Sequence, residues 1–155
     1  VVKMKLPSKR SQNESYRLAN GGKSKGGTGI KGEYFNMKCK EFPYGCKENY
    51  DSSYELQQMK YLSSLRGCKH WTKKHGIRIP YFDLKTRKMR MYVPDILVEY
   101  VGGKKELQEI KGFVKDKLNY ETKCSVARAY CHSRNIKFVV LFGDDLFRQR
   151  SVSGF

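Results

Sequence analysis

The chain has 155 residues, and its 32 Lys and Arg against 15 Asp and Glu give a formal net charge of +17. This length predicts a single domain with a hydrophobic core, and this charge is typical of a protein that binds a polyanion. No stretch approaches about 18 consecutive apolar residues, which excludes a membrane-spanning helix, and no apolar signal segment is visible, so a cytoplasmic location is predicted.

The first part of the chain, residues 1–49, is predicted to be a basic, Gly- and Lys-rich arm that is partly ordered. Residues 1–50 contain eleven Lys or Arg and four acidic residues. The glycine-rich stretch 21–29 lacks the G-x-x-x-x-G-K-[ST] spacing of a nucleotide-binding loop, and an arm that follows DNA phosphates is the interpretation we favour. A disordered tail that only aids solubility is the alternative. The arm residues expected to contact DNA are Lys23, Lys25, Lys31, Lys38 and Lys40.

A first helix is predicted over residues 53–65, because Leu and Met recur there at helical spacing from position 56 onward. Ser52 and Glu55, at its start, fit the S-x-x-E capping box. A cap explains a glutamate at this position without any catalytic role, so both interpretations of Glu55 stay open at this point.

The rest of the chain alternates between strand and helix patterns. Three strands are predicted over residues 77–82, 89–100 and 107–111. A second helix over 118–133 stops at Asn135, and a buried strand follows over 136–142. Since a helix leads into this last strand, it should pair parallel with an earlier one. The order αβββαβ predicts an α/β fold with a mixed central sheet flanked by helices.

A predicted β-hairpin carries the residues with the clearest chemistry, Asp95, Glu109 and Lys111. If its loop is 101–103, with Gly103 at a positive φ, Asp95 lies directly opposite Glu109 and Lys111 shares their face. A two-residue loop at Gly102-Gly103 would shift this register by one residue. Two carboxylates and a lysine on one face can hold a hard divalent cation beside a phosphate. Ordinary cross-strand ion pairs are the alternative.

Several motifs follow one another in a fixed order between residues 50 and 142. They are a Y-x-S-x-x-E helix start (Tyr50, Ser52, Glu55), a tryptophan (Trp71), an I-x-Y strand (Ile79, Tyr81), a Y-x-P-D strand (Tyr92, Pro94, Asp95) and an E-I-K strand (Glu109, Ile110, Lys111). This set resembles the small PD-(D/E)XK endonucleases common in phages, which include T7 endonuclease I-like, TnsA-like and some homing enzymes. The resemblance implies a restriction-endonuclease-like nuclease domain in residues 50–155, in the cytoplasm of a bacterium or phage-infected host.

The resemblance also implies a role for each motif residue. Asp95 and Glu109 would be metal ligands with the Ile110 carbonyl as a third, and Glu55 would join them directly or through a metal-bound water. Lys111 would orient or help deprotonate the attacking water and offset charge on the phosphate. Oxygen-only ligation favours Mg²⁺, with Mn²⁺ able to replace it, over zinc. The implied activity is Mg²⁺-dependent hydrolysis of phosphodiester bonds in DNA.

Basic residues outside the arm extend the predicted DNA contact. They are Arg87, Lys88, Arg90, Lys115, Lys117 and Lys123. A non-cleaving module that binds DNA or RNA on the same fold is the alternative function, and intact acidic residues argue against it because they would repel phosphate. One active site cuts one strand, so double-strand cleavage would require a homodimer or two successive nicks.

Five cysteines and three histidines offer a second type of metal site. Cys39, Cys46, Cys68 and His70 could form a Cys₃His zinc site, but their spacing is unlike the C-x₂₋₄-C knuckle of structural zinc sites. Free, buried thiols are the preferred interpretation, with Cys124 and Cys131 in the core. His75 and His132 show no partner in the sequence and are interpreted as surface residues.

Overall fold

The computed structural model of the protein describes residues 30–39, 45–143 and 146. Its strands are β1 (Gly32–Asn36), β2 (Cys46–Tyr50), β3 (Cys68–Thr72), β4 (Ile79–Asp83), β5 (Lys88–Tyr92), β6 (Ile96–Tyr100), β7 (Lys105–Lys111) and β8 (Ile136–Phe142). Its helices are α1 (Ser53–Ser64) and α2 (Lys117–His132). In the part of the chain that the structure describes, no helix is long and apolar enough to cross a bilayer.

The centre of the fold is a mixed four-stranded sheet in the order β3-β6-β7-β8. β6 pairs antiparallel with β3 and β7, whereas β7 and β8 are parallel and joined by α2. The predicted parallel pairing of the last strand is therefore confirmed, as is the restriction-endonuclease-like α/β fold with its mixed central sheet.

The two helices pack in two separate apolar clusters. Met59 and Leu62 of α1 pack with Trp71, Ile96 and Val98 of the sheet. The second cluster joins α2 to the sheet and to β4 and β5, and its buried members are Ile79, Tyr81, Tyr92, Leu107, Ala127 and Cys131. Successive side chains of β7 point to opposite faces of the sheet, as in any strand, so they alternate between the two clusters.

The segment predicted as one strand over 89–100 is two strands in different sheets, so that prediction is wrong. β5 pairs only with β4, in a separate two-stranded sheet, and β6 joins the central sheet. Val93 and Pro94 separate them. Proline has no N–H to donate to a ladder, so the chain leaves one sheet here and enters the other. Strand β3 was not predicted, because its sequence CKHWT has only a short and irregular apolar pattern.

The ends of both helices follow the predicted signals. The Ser52 hydroxyl oxygen accepts a hydrogen bond from the Glu55 N–H, 3.1 Å away, as a capping serine does. Asn135, the predicted stop of α2, has a φ of 55°.

Among the thiols, Cys124 and Cys131 of α2 are buried, and all five cysteines are free.

The β1–β2 hairpin lies before residue 50 and packs on the central sheet. The Tyr34 ring lies 5.9 Å from the Trp71 ring, centroid to centroid, and the Asn36 side-chain amide donates to the Trp71 carbonyl. Glu48 is fully buried and accepts a hydrogen bond of 2.6 Å from the Thr72 hydroxyl. The boundary between the arm and the nuclease domain, at residues 49 and 50, stays a prediction. Strands β1 and β2 come from the N-terminal side of this boundary and still pack on the core.

A buried asparagine, Asn119, ties the β4–β5 turn to the start of α2. Its side-chain amide donates to Asp83 at 2.9 Å and to Asp116 at 2.8 Å, and its carbonyl oxygen accepts from the Leu84 N–H at 2.9 Å. Asp83 in turn accepts from the backbone of the turn, and these hydrogen bonds hold its pKa at about 2 against the opposing effect of desolvation.

We expect Asn119→Ala to lower the free energy of unfolding by about 1–3 kcal/mol, because it leaves buried partners without hydrogen bonds. Urea unfolding followed by circular dichroism measures this change. The matched control is Glu121→Ala, an exposed position on the same helix, which should change stability by less than about 0.5 kcal/mol. Equal stability of the two variants would contradict the assignment of Asn119.

Candidate active site

The β6–β7 hairpin closes through a loop of three residues, 101–103. The Tyr100 N–H donates to the Lys104 carbonyl at 2.8 Å, and Gly103, at a φ of 90°, donates to the Tyr100 carbonyl at 3.0 Å. Only glycine adopts such a φ without strain. The predicted three-residue loop is confirmed, and the two-residue alternative is wrong.

This loop sets a register that brings Asp95 and Glu109 to the same end of the hairpin. Ile96 pairs with Gln108, and Asp95 and Glu109 lie just beyond this pair. The backbone supports this position twice, because the Asp95 N–H donates to the Gln108 carbonyl at 3.0 Å and the Ile110 N–H donates to Asp95 Oδ2 at 2.7 Å. The carboxylate of Asp95 is thereby fixed against β7.

Glu109 is buried, and each of its carboxylate oxygens has a partner. The Tyr92 hydroxyl donates to Oε2 at 2.7 Å, and the Lys111 ammonium lies 2.8 Å from Oε1. Tyr92 was quoted only as a motif position in the sequence, so its hydrogen bond to the acid is a contact that sequence reasoning missed. The alternation of β5 offered a signal, since Tyr92 is the residue of that strand that turns inward.

Asp95 and Glu109 are two like-charged groups that are held close together and are partly shielded from water. Burial, followed by the neighbouring Glu109 carboxylate, raises the pKa of Asp95 to about 7. Burial alone would lower the pKa of Lys111, but Glu109 outweighs it and the pKa is raised. Lys111 is therefore held as an ammonium. A cation placed between the two carboxylates would relieve their repulsion.

Glu55 lies beside this pair and has a different immediate partner. Its Oε2 is 2.5 Å from the Lys73 ammonium and accepts from the Asp51 N–H at 3.2 Å. The negative charge of Glu55 also raises the pKa of Asp95, so the carboxylates of Glu55, Asp95 and Glu109 interact electrostatically. Within the described residues, no three His, Cys, Asp or Glu side chains come close enough together to hold a metal ion. Direct ligation by Glu55 stays a prediction.

Lys73 is a second lysine of the site, and the sequence analysis did not identify it. Its side chain is 18% exposed and also lies 3.8 Å from Asp51. Lys73 follows directly after β3, the strand that was not predicted. Recognition of β3 as a neighbour of β6 would have placed Lys73 at the same end of the sheet as the acids.

His75 fixes the backbone just before Asp95. Its Nδ1 accepts from the Ile77 N–H at 3.0 Å, and its Nε2 lies 2.7 Å from the Pro94 carbonyl. With Nδ1 as acceptor, Nε2 carries the proton and donates to Pro94. Burial lowers the pKa of His75, which favours this neutral form. The interpretation of His75 as a surface residue is wrong, because the ring is half-buried and has two partners.

An open groove of about 260 Å³ leads from Glu109 along the start of α2. Glu109 and Lys111 line it together with Lys115 and Lys123, two of the predicted DNA contacts. The Lys123 ammonium lies 5.3 Å from the centre of the Tyr81 ring, a cation–π distance. Lys117, another predicted contact, is exposed at the first position of α2.

The other predicted DNA contacts are spread over the structure. Arg87, Lys88 and Arg90 are exposed on β5 and the turn before it. Lys31 lies 3.6 Å from Asp51, near the site. Lys38 points to the end of α1, where its ammonium donates to the carbonyls of Leu62 at 3.0 Å and Leu65 at 2.7 Å. The remaining three, Lys23, Lys25 and Lys40, lie outside the described residues.

The four residues considered for zinc do not form a ligand set in the described structure. His70 Nδ1 lies 3.2 Å from the Lys38 carbonyl, and the Cys68 thiol lies 3.5 Å from the His70 carbonyl oxygen. Burial raises the pKa of Cys68 to about 11 and is the largest cause that raises the pKa of Cys46 to about 12. Cys39 is buried.

Comparison with known proteins gives one match. Residues 50–142 match the model of the family described as TnsA-like endonuclease N terminal, over more than half of the chain. No curated protein and no solved structure matches the chain. The matched segment begins just before α1 and ends with β8, and it contains Glu55, Lys73, Asp95, Glu109 and Lys111.

We expect the metal-free protein to lose stability through Asp95 as the pH rises from about 4 to about 7. The pKa of Asp95 in the folded protein, about 7, lies above its ordinary value of 3.8. The folded state therefore binds more protons than the unfolded state in this window, and the free energy of unfolding falls as the pH rises. This contribution to stability is fully present below the ordinary pKa and is lost above the raised one.

Urea unfolding in EDTA, at several pH values across this window, compares the protein with Asp95→Asn, in which the side chain does not titrate. The stability of the unchanged protein relative to the variant should fall through the window by on the order of 1 kcal/mol or more and then level off. A difference that does not depend on pH would show that Asp95 titrates at its ordinary value.

Proposed function

The chain belongs to the TnsA-like endonuclease family, and from this premise we propose that it hydrolyses phosphodiester bonds in DNA with Mg²⁺ at Asp95 and Glu109. The observation that carries the proposal is the proximity of the buried Glu109 carboxylate and the half-buried Asp95 carboxylate, beside the Lys111 ammonium. Family membership supports nuclease activity, and the geometry supports Asp95, Glu109 and Lys111 as the residues that carry it out.

The donor set fits a hard divalent cation. The carboxylates of Asp95 and Glu109 lie close together at the end of one hairpin, and the Ile110 carbonyl belongs to the residue that follows Glu109. Carboxylate and carbonyl oxygens are the ligands that Mg²⁺ and Mn²⁺ prefer. When bound, such an ion supplies an activated water and neutralises charge on the phosphate oxygens. The mutual repulsion of the two acids favours a cation over an empty site.

Lys111 supplies a fixed positive charge next to the reacting phosphate. Its ammonium is held by Glu109 and is half-buried, so it keeps a defined position with little loss of rotamer freedom on binding. In the protonated form that its raised pKa favours, it offsets charge on a non-bridging oxygen and orients the attacking water. The Tyr92 hydroxyl holds the other oxygen of Glu109 and leaves this acid a single orientation.

The alternative, a module that binds nucleic acid without cutting it, does not account for the acids. Two carboxylates held close together repel phosphate and each other, and desolvation together with the Glu109 charge raises the pKa of Asp95. A binding module gains nothing from that cost. A metal-dependent nuclease needs this arrangement, since the ion binds where the repulsion is greatest.

We expect Asp95→Ala and Lys111→Ala to abolish cleavage while DNA binding stays within about threefold of the original. Removal of a ligand or of the positioned cation acts on the transition state, whereas affinity comes mainly from phosphate contacts elsewhere. Plasmid nicking is measured with Mg²⁺, with Mn²⁺ and with EDTA. The matched control is Lys105→Ala, an exposed lysine at the other end of β7, which should cut normally. Undiminished cleavage by either active-site variant would refute the assignment.

We expect Lys73→Met to lower the cleavage rate about tenfold or more, because Glu55 and Asp51 lose the ammonium that holds them. The control is its neighbour Lys74→Met, an exposed lysine whose ammonium donates to the Lys47 carbonyl. Rates are measured at saturating DNA, with the Mg²⁺ concentration varied for each variant. If Lys73→Met cuts as fast as Lys74→Met at every Mg²⁺ concentration, Lys73 does not position the acids.

A further inference from the structure

The β4–β5 sheet has two faces of opposite chemistry. Its inner face packs on α2 through buried residues such as Ile79, Tyr81 and Tyr92. Its outer face consists of two directly opposed pairs, Pro80 with Met91 and Phe82 with Met89. All four of these residues are exposed, and none offers a side-chain hydrogen-bond donor or a charge. We refer to Pro80, Phe82, Met89 and Met91 as the apolar ribbon face.

The exposed hydrophobic side chains are concentrated in this part of the chain and are not scattered over the surface. The described residues include ten exposed large hydrophobic side chains, and five of them lie between positions 82 and 93. On the ribbon face, Phe82 is 41% exposed, Met91 48% and Met89 64%. Single exposed apolar residues need no explanation, but a contiguous group on one sheet face is typical of a binding surface. Methionine adapts its shape to different partners, which suits a surface that meets irregular ligands.

The stretch of chain that forms the ribbon is strongly basic. Five exposed cations occur between positions 78 and 90. Lys88 and Arg90 pair with Asp83 and Tyr81 and so lie on the side of β5 away from the apolar ribbon face, whereas Arg78, Lys85 and Arg87 lie just outside the two strands. The same stretch contains one acid, the buried Asp83, which pairs with Arg90 at 3.2 Å. Arg78, Arg87 and Lys88 form no ion pair with any other described residue. Two such surfaces would repel each other, so the charge disfavours a second copy of the chain and favours a polyanion.

We propose that the apolar ribbon face binds DNA beside the cleavage site and packs against bases that are unstacked, while the surrounding cations hold the phosphates. The proposal rests on the proposed function in taking DNA as the substrate. It adds a substrate class, namely DNA with a local distortion such as a bulge, a branch or a sharp kink.

Unstacked bases are the part of DNA that this surface fits best. The groove edges of a continuous duplex present hydrogen-bond donors and acceptors, which four apolar side chains cannot satisfy. The faces of unstacked bases are apolar, and proteins that kink DNA insert Phe, Met or Pro between base steps. A two-stranded ribbon that carries these side chains between flanking cations combines both requirements.

The position of the ribbon connects it to the acids. Tyr92 ends β5 and donates its hydroxyl to Glu109, and Asp95 follows three residues later. Met91 is four residues from Asp95, a span of at most about 13 Å of extended chain. A DNA strand advances about 3.4 Å per nucleotide, so bases that contact Met91 lie within about four nucleotides of Asp95.

The test compares the binding of two labelled DNAs, a continuous duplex and the same duplex with a bulge, by fluorescence anisotropy in EDTA. The variant is Met89→Thr with Met91→Thr, since threonine retains strand propensity and removes the apolar surface. The matched control is Met37→Thr with Val101→Thr, which replaces two exposed apolar side chains outside the ribbon. Circular dichroism checks that both variants are folded.

We expect the unchanged protein and the control to bind the bulged DNA about tenfold more tightly than the continuous duplex. The ribbon variant should lose this preference and keep its affinity for the continuous duplex within about twofold. The proposal is overturned if the ribbon variant retains the preference or if the unchanged protein has none. It is also overturned if sedimentation shows a dimer that only the ribbon variant splits, because the face would then belong to a second copy.

The binding test is independent of cleavage. Because EDTA removes divalent metal from every sample, a protein that never cuts DNA would still give the expected preference. Failure of the Mg²⁺-dependent cleavage experiment would therefore refute the proposed hydrolysis without deciding the role of the ribbon. A preference that the ribbon variant retains, or that the unchanged protein lacks, would refute the ribbon proposal alone.

Discussion

The proximity of Asp95 and Glu109 at the end of the β6–β7 hairpin is the constraint on which the site depends. Glycines in the three-residue loop allow the chain to close with this register, and a shift by one residue would turn Glu109 to the opposite face of the sheet. Holding two carboxylates together is costly, as the raised pKa of Asp95 shows. Tyr92 and Lys111 offset part of this cost through Glu109, and a bound cation would offset more.

Much of the fold could be predicted because its signals are local. Helical spacing identified both helices, Asn135 marked the end of α2, and the helical crossover required a parallel last strand. The errors arose where pairing partners decide the structure. β3 is short and owes its position to β6, and the segment 89–100 looks continuous in sequence although Pro94 separates two sheets.

The residues of the site also fall into those that local signals could predict and those that depend on strand pairing. Asp95, Glu109 and Lys111 could be brought together from strand period and loop length alone, since both are properties of one hairpin. Lys73 and His75 reach the site from a segment that is distant in sequence, and only the pairing of β3 with β6 places them there. Their contacts with Glu55 and with the backbone before Asp95 are tertiary, so no local pattern in the chain could have indicated them.

The measurement that tests the central claim most directly is a crystal structure with bound Mn²⁺, located by its anomalous scattering. The account predicts one peak between the carboxylates of Asp95 and Glu109, within coordination distance of both, and no peak there in Asp95→Ala crystals grown in the same way. A peak elsewhere, with both acids unligated in a protein that cuts DNA, would contradict the claim that this hairpin forms the metal site.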